Sequence, residues 1–150
     1  FRKLFVIDAL SLPDNVSEIT ARTNDEGWET VFSETLRVSH AGPGDALFVL
    51  SVGGGDERLN VSVNLIRAID YCRSVGMPVY GIVGKSDGYT ARMGDCVVVI
   101  PVADASRVTP HSEAFQAVVW HCMVSHPDLQ VAPTKWESAT DGQVAGVTKP

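Results

Sequence analysis

Residues 46–83, ALFVLSVGGGDERLNVSVNLIRAIDYCRSVGMPVYGIV, decide the fold because they follow the order strand, loop, helix, turn and strand. Ala46–Val52 and Pro78–Val83 are short aliphatic runs that are apolar on both faces, as the strands of a buried parallel sheet are. Between them, apolar residues from Val61 to Cys72 recur at helical spacing, and Gly76 provides a stop signal. The stretch therefore predicts two parallel strands joined by a helix.

The sequence on either side extends this pattern. Leu4–Leu10 and Cys96–Val102 predict two further buried strands, and Trp28–Leu36 has the spacing of an amphipathic helix. Glu113–Val124 is apolar at nearly every position, so we expect a helix that is buried on most sides. Strands that alternate with helices are typical of an open α/β sheet with right-handed crossovers. We predict a three-layer, doubly wound, flavodoxin-like α/β fold with helices on both faces of a parallel sheet.

The composition narrows the possible functions. The chain has 150 residues, is 45% hydrophobic and 20% charged, and carries a formal net charge of −6, which fits one globular domain. A pI near 5.1 without a Lys/Arg cluster argues against a nucleic-acid partner. No apolar run approaches the ~18 residues of a membrane span. The odd, dispersed cysteines Cys72, Cys96 and Cys122 predict free thiols and a reducing, cytoplasmic location.

The connection from Ser51 to Asn64 contains the strongest candidate for a binding site. Gly53, Gly54 and the glycine after them would let backbone amides approach an anion, and the helix that follows offers further unpaired N–H groups. The spacing excludes a P-loop and the dinucleotide-binding pattern. The residues alone leave two interpretations open: an anion site, or a flexible connection in which Ser62 or Asn60 caps the helix.

Two other features lie where chemistry occurs in open α/β sheets. Gly84–Gly88 follows a predicted strand, and its Asp and Gly residues favour a simple turn. Glu113 and His121 lie about 80° apart on the predicted apolar helix. They are either a capping carboxylate and a hydrogen-bonded core histidine, or part of a metal or acid–base site that needs more ligands from elsewhere.

Several of these segments together resemble the SIS (sugar isomerase) domain and, within it, the sedoheptulose-7-phosphate isomerases. The resemblance runs from about Leu4 to Val124, and its most specific parts are Arg67–Ile69, Gly76–Val79, Gly84–Gly88, Val99–Val102 and the Asn24-Asp25-x-Gly27 segment with Val31 and Phe32. The combination is far more specific than any single motif. It implies an α/β fold and a sugar-phosphate ligand.

The family's phosphate loop is Ser-Thr-Ser-Gly-Asn-Ser followed by Asn-Val. Ser51 matches its first serine and Ser62 its last, whereas the chain between them is longer here and lacks the central hydroxyls. The resemblance therefore implies phosphate binding by Ser51, Ser62 and the backbone of Gly53 and Gly54. The Asn24-Asp25 pair matches the family segment whose Asp contacts the sugar.

The family's last helix carries a Gln and, eight residues later, a His, which bind zinc and take part in proton transfer. Here Glu113 replaces the Gln and His121 matches the His, so the resemblance implies a possible zinc site and a catalytic role for His121. The family's N-terminal helix and first strand, which supply a His ligand and the catalytic Glu, have no counterpart, and we expect an upstream piece to be absent. Family members are homotetramers with shared active sites, and Trp120, Met123 and Trp136 would supply apolar contact surface.

The sequence thus predicts one domain over residues 1–126 and a C-terminal arm over 127–150. The function predicted is the aldose–ketose isomerisation of sedoheptulose 7-phosphate to a heptose 7-phosphate through an enediolate. The alternative is a non-catalytic SIS module that acts as a sugar-phosphate sensor or an adaptor.

Overall fold

The structure is a computed structural model that describes residues 1–135. The described residues form two compact units, one of Leu10–Val119 and the other of Phe1–Ala9 together with residues 120–135. The predicted division at residue 126 stays a prediction, and Trp136 lies outside the described residues.

The described chain contains six α-helices and three strands. The helices are α1 (Arg2–Phe5), α2 (Val16–Asp25), α3 (Val31–Val38), α4 (Val63–Val75), α5 (Tyr89–Met93) and α6 (Val108–Val124). The strands are β1 (Leu47–Ser51), β2 (Val79–Val83) and β3 (Cys96–Val99). Short 3-10 helices occupy Leu12–Asp14, Trp28–Thr30 and Ala105–Arg107.

The three strands form a parallel sheet in the order β1-β2-β3. The helix α4 joins β1 to β2, and α5 joins β2 to β3. Two right-handed crossovers that advance in the same direction place both helices on the same face of the sheet. The parallel α/β fold predicted from the sequence is confirmed, and Gly76 ends α4 in a left-handed conformation with φ 72°, as expected of a helix stop.

The two faces of the sheet differ in burial. Val49 and Val79 point towards α4 and α5 and are 4% and 0% exposed. They belong to the core of the larger unit, which consists of Leu36, Leu47, Val49, Ile66, Ala68, Ile69, Cys72, Met77, Val79 and Tyr89. On the opposite face, Leu50, Tyr80 and Val98 are 50%, 39% and 41% exposed, whereas Ile82 is 1% exposed. The apolar alternation of the strands is therefore used fully on one face only.

The strand predicted at Leu4–Leu10 is wrong. The first part of this segment lies in α1, Val6 has φ 55°, and Val6, Ile7 and Leu10 are exposed. An isolated strand is not stable, because its backbone groups need a neighbouring strand to bond with. The described sheet has three strands, and none of them pairs with this segment. Apolar, β-branched composition cannot supply that neighbour.

The helix predicted at Glu113–Val124 exists but begins earlier, and the expectation of burial on most sides is wrong. Phe115 and Val118 of α6 are 52% and 53% exposed. The buried side chains in the Leu10–Val119 part of α6 are instead polar, Ser112 and Gln116. Ser112 packs so closely on Gly84 that a Cβ on that glycine would lie 2.0 Å from Ser112 Oγ. Close approach selects the small residue rather than the apolar one.

Candidate functional site

The first half of the connection from β1 to α4, Ser51–Gly55, is occupied by internal hydrogen bonds. The Gly54 amide donates to Ser51 Oγ at 3.0 Å. The Gly54 carbonyl accepts from Thr90 N and Thr90 Oγ1, both at 2.8 Å, and the Gly55 carbonyl accepts from Tyr89 N at 2.8 Å. These carbonyls satisfy amides at the start of α5, which would otherwise lack partners. This half of the connection therefore directs carbonyl oxygens, not amides, at its neighbour.

Close packing explains the glycines. Gly54 and Gly55 have φ of 71° and 86°, and a Cβ on Gly55 would lie 3.0 Å from Ile66. A Cβ on Gly88 would lie 2.1 Å from the Gly53 carbonyl oxygen, a distance that real side chains do not reach. The Gly84–Gly88 segment thus packs directly against the glycine-rich stretch. This packing requires glycines in both segments, whether or not a ligand binds there.

Residues 56–61, which lie in the part of the chain that is longer than the family's phosphate loop, form a closed loop, the inserted loop. Asp56 and Val61 form an antiparallel bridge with both N–O distances at 3.0 Å. The Asp56 carboxylate accepts from the backbone amides of Leu59 and Arg58, and these bonds lower the pKa of Asp56. The flexible connection considered from the sequence is therefore replaced by a loop with defined internal hydrogen bonds.

A charged network ties this loop to α5. Glu57 pairs with Arg92 at 2.6 Å, and the Arg92 guanidinium lies 5.5 Å from the centre of the Tyr89 ring. The Tyr89 hydroxyl donates to the Asp70 carboxylate. Burial and the negative charge of Asp70 raise the pKa of Tyr89 to about 12. Tyr89, the first residue of α5, thus joins this helix to the Gly55 carbonyl through its backbone amide and to Asp70 of α4 through its hydroxyl.

Ser62 occupies the N-cap position of α4 but does not cap it. Its φ is 53°, and its side chain makes no hydrogen bond to the first turn of the helix. Ser62 is exposed to solvent. Ser62 therefore stands at the N-cap position, as one interpretation of the sequence predicts, but its hydroxyl does not act as a cap. That hydroxyl remains available to a ligand.

Ser62 lines a cavity of about 390 Å³. The lining residues are Trp28, Glu29, Asn60, Ser62, Val63 and Arg67. The turn Trp28–Thr30 follows directly after the Asn24-Asp25-x-Gly27 segment, so the cavity lies between Ser62 and the turn next to that segment. Asn24 and Asp25 themselves lie at the exposed end of α2 and are not among the lining residues.

The predicted metal and proton-transfer residues both lie on α6 and are exposed. The His121 ring stacks on the Trp120 indole with centroids 3.8 Å apart. Within residues 1–135, no three side chains of the His, Cys, Asp or Glu type are grouped to hold a metal ion. Glu113 and His121 are suitable zinc ligands by type, and a complete set needs ligands from beyond the described chain.

Arg67, Trp28 and Gln116 have no site role predicted from the sequence. Gln116 Nε2 donates to the carbonyls of Ser51 and Ile82, both at 3.0 Å, and so clamps the ends of β1 and β2. Arg67 lies four residues after Val63, which is the spacing of one helix face, and this was an available signal. Gln116 had no signal in the sequence, because its role depends on the arrangement of the strands.

A second cavity of about 580 Å³ is lined by 84–87 and 99–102.

No protein-family model matches the chain. The phosphoheptose isomerase of Mycobacterium tuberculosis is 34% identical over 102 residues, which cover 68% of this chain and 48% of that protein. A solved phosphoheptose isomerase from Neisseria gonorrhoeae is 26% identical with a TM-score of 0.60, covering 76% of this chain and 61% of that one. The corresponding structure from Francisella tularensis is 23% identical with a TM-score of 0.63, covering 77% and 59%, and shows similarity of fold.

The chain spans about half the length of the curated relatives that it matches. Within residues 1–135, no helix has both the length and the apolar character needed to cross a membrane.

Proposed function

Because the chain belongs by sequence and fold to the phosphoheptose isomerase family, over the part that it spans, we propose that its protein is an aldose–ketose isomerase of a seven-carbon sugar phosphate. The reaction would interconvert sedoheptulose 7-phosphate and a heptose 7-phosphate. The observation that carries this proposal is the cavity at which Ser62 meets the turn after Asn24 and Asp25. In this cavity Ser62, which matches the last serine of the family's phosphate loop, lies beside the turn that follows the Asn24-Asp25 segment.

The reaction sets three chemical requirements. A proton moves between C1 and C2 through an enediolate, so the site needs a base near neutral pH, a group that stabilises the developing oxyanion, and a clamp on the phosphate. We assign the clamp to the hydroxyl of Ser62. Asp25, with Asn24, would orient sugar hydroxyls, and His121 would carry the proton. The roles of Ser51, Gly53 and Gly54 stay predictions.

Zinc belongs to this proposal as a possible cofactor held by Glu113 and His121. A bound Zn²⁺ would supply a Lewis acid for the carbonyl oxygen. The support is the ligand type of the two residues and their place on α6. Metal analysis of the full-length protein tests it: zinc in the wild type that is lost in both Glu113→Ala and His121→Ala agrees with the proposal. An equal zinc content in all three proteins would contradict it.

Self-association and location complete the proposal. We expect a homotetramer with shared active sites, located in the cytoplasm. Phe115 and Val118 give α6 an exposed apolar surface on which a second copy could pack. Light scattering of the full-length protein should give a mass of four protomers, and a single protomer would contradict this expectation.

A non-catalytic sugar-phosphate sensor or adaptor is the second candidate. It is favoured by the exposure of Glu113 and His121 and by the use of the glycine carbonyls to hold α5. A sensor needs the phosphate clamp but neither a base nor a metal. It predicts binding of sedoheptulose 7-phosphate without turnover.

The direct test is incubation of the full-length protein with sedoheptulose 7-phosphate, with zinc supplied. We expect heptose 7-phosphate as product. The His121→Ala variant should still bind the ketose, because His121 is exposed and its replacement should not disturb the fold, but the variant should not convert it. Binding without product in the wild type would exclude the isomerase and leave the sensor.

A further inference from the structure

We infer that Arg67, supported by Asn60 of the inserted loop, binds the phosphoryl group of the ligand beside Ser62. This inference rests on the proposed sugar-phosphate ligand and adds a binding residue that the family's hydroxyl-based loop does not contain. The Arg67 guanidinium would compensate for the hydroxyl groups that the chain lacks between Ser51 and Ser62.

The position of Arg67 supports the assignment. Arg67 and Val63 are four residues apart on α4 and line the same cavity. Helical side chains lean towards the N-terminus of their helix, so the long Arg67 side chain extends back towards Ser62. A guanidinium offers a planar set of donors that matches two phosphate oxygens at once.

The charges around the cavity make Arg67 the available cation. Arg58 pairs with Asp56 at 3.8 Å, and Arg92 pairs with Glu57 at 2.6 Å. Arg67, in contrast, has no carboxylate within 4.0 Å among the residues that the structure describes, although Glu29 lines the same cavity. Without Arg67 the cavity would carry a net negative charge and would repel a phosphate.

The inserted loop supplies the neighbouring amide. Asn60 has φ 55°, held by the bridge between Asp56 and Val61 that closes the loop. Asn60 lines the cavity, and a carboxamide can donate to a phosphate or accept from a sugar hydroxyl. The inserted loop therefore contributes Asn60 to the lining of the cavity.

Calorimetric titration of the full-length protein with sedoheptulose 7-phosphate and with unphosphorylated sedoheptulose tests the inference. The variants are Arg67→Gln and the matched control Arg58→Gln, which removes the same charge from a nearby exposed position outside the cavity. Arg67→Gln should weaken binding of the phosphorylated sugar by roughly 10- to 150-fold, as expected for a lost hydrogen bond to a charged group. Arg58→Gln should weaken it by less than about threefold.

Binding of unphosphorylated sedoheptulose should be equal in Arg67→Gln and wild type. Equal losses in the two variants would overturn the inference, and so would a loss in Arg67→Gln that is the same for both sugars. If the wild type binds the phosphorylated sugar through Arg67 but does not convert it, the isomerase proposal fails and the inference stands. If the wild type converts it and Arg67→Gln has an unchanged KM, the inference fails alone.

Discussion

The two halves of the connection between β1 and α4 use their polar groups in opposite ways. In Ser51–Gly55, the Ser51 hydroxyl and the Gly54 and Gly55 carbonyls already have partners within the protein. In the second half, Ser62 stands at a helix start without capping it and lines an open cavity with Arg67. The glycine-rich half looks like an anion loop in the sequence, yet two of its carbonyls hold α5, whereas the half without glycines presents Ser62 and Arg67 to a cavity.

A glycine therefore indicates that another group approaches the backbone closely, but it does not indicate which group that is. At an anion loop the approaching group is a phosphate and the protein presents amides. Here the approaching group is the start of α5, and the protein presents carbonyls. The following predictions test this division.

The largest effect is expected from Gly88→Ala in the glycine-rich half. The new Cβ would lie 2.1 Å from the Gly53 carbonyl oxygen, so the two segments must separate. We expect a loss of about 3 kcal/mol in the free energy of unfolding, or a melting temperature lower by roughly 6–12 °C. Gly44→Ala is the control, because a Cβ there meets no atom within 4 Å. Equal thermal melting of the two variants would refute the packing argument.

In the second half, Ser62→Ala should weaken binding of sedoheptulose 7-phosphate by about 10- to 150-fold, or roughly 1.5–3 kcal/mol. Ser62→Asp should weaken it more, because it places a carboxylate against the phosphate. Neither change removes a helix cap, so Ser62→Ala should leave thermal stability unchanged. An unchanged affinity in Ser62→Asp would exclude Ser62 from the clamp. A loss of ~1 kcal/mol of stability in Ser62→Ala would restore its capping role.

Tyr89→Phe should destabilise the protein by an amount that depends on pH, because the hydroxyl that it removes can ionise. At pH 7 the variant loses the hydrogen bond to Asp70, which costs about 1 kcal/mol of stability. The folded-state pKa of Tyr89 is about 12, above the ordinary tyrosine value of 10.0, so the protonated hydroxyl stabilises the fold fully below pH 10. That contribution is lost as the pH rises through 12. Denaturant titrations should show the gap between wild type and variant closing over this range; a constant gap would contradict the assignment.

The smallest effect is expected from Glu29→Gln in the second half. Glu29 lines the cavity and repels a phosphate there, so its neutralisation should tighten binding of sedoheptulose 7-phosphate by about two- to fivefold. Glu34→Gln is the control, because Glu34 pairs with Arg37 outside the cavity. Weaker binding in Glu29→Gln would mean that this carboxylate accepts from the ligand instead.

The parts of the fold that the sequence predicted are those in which local pattern and packing agree. The sequence placed β1 and β2 to within one residue, because strongly apolar runs are bounded there by a glycine loop and by Gly76 with Pro78. Leu4–Leu10 has the same apolar character and failed, because a strand also needs a neighbour. Local composition carries no information about that neighbour.

The candidate site divides in the same way. Ser62 was identified through the helix that follows it, and that helix is regular. Arg67 was missed although its spacing from Val63 placed it on the same helix face. Gln116 could not be found, because its two acceptors, the carbonyls of Ser51 and Ile82, lie on different strands far from it in sequence.

The most direct test of the account is an NMR titration of the isotope-labelled full-length protein with sedoheptulose 7-phosphate. We expect the amide signals of Ser62 and Val63, the Arg67 side-chain signal and the Trp28 indole signal to shift on binding. The amide signals of Gly53–Gly55 should stay in place, since those residues hold α5. Shifts confined to Gly53–Gly55, with Ser62 and Arg67 unaffected, would contradict the account and return the ligand to the glycine-rich half.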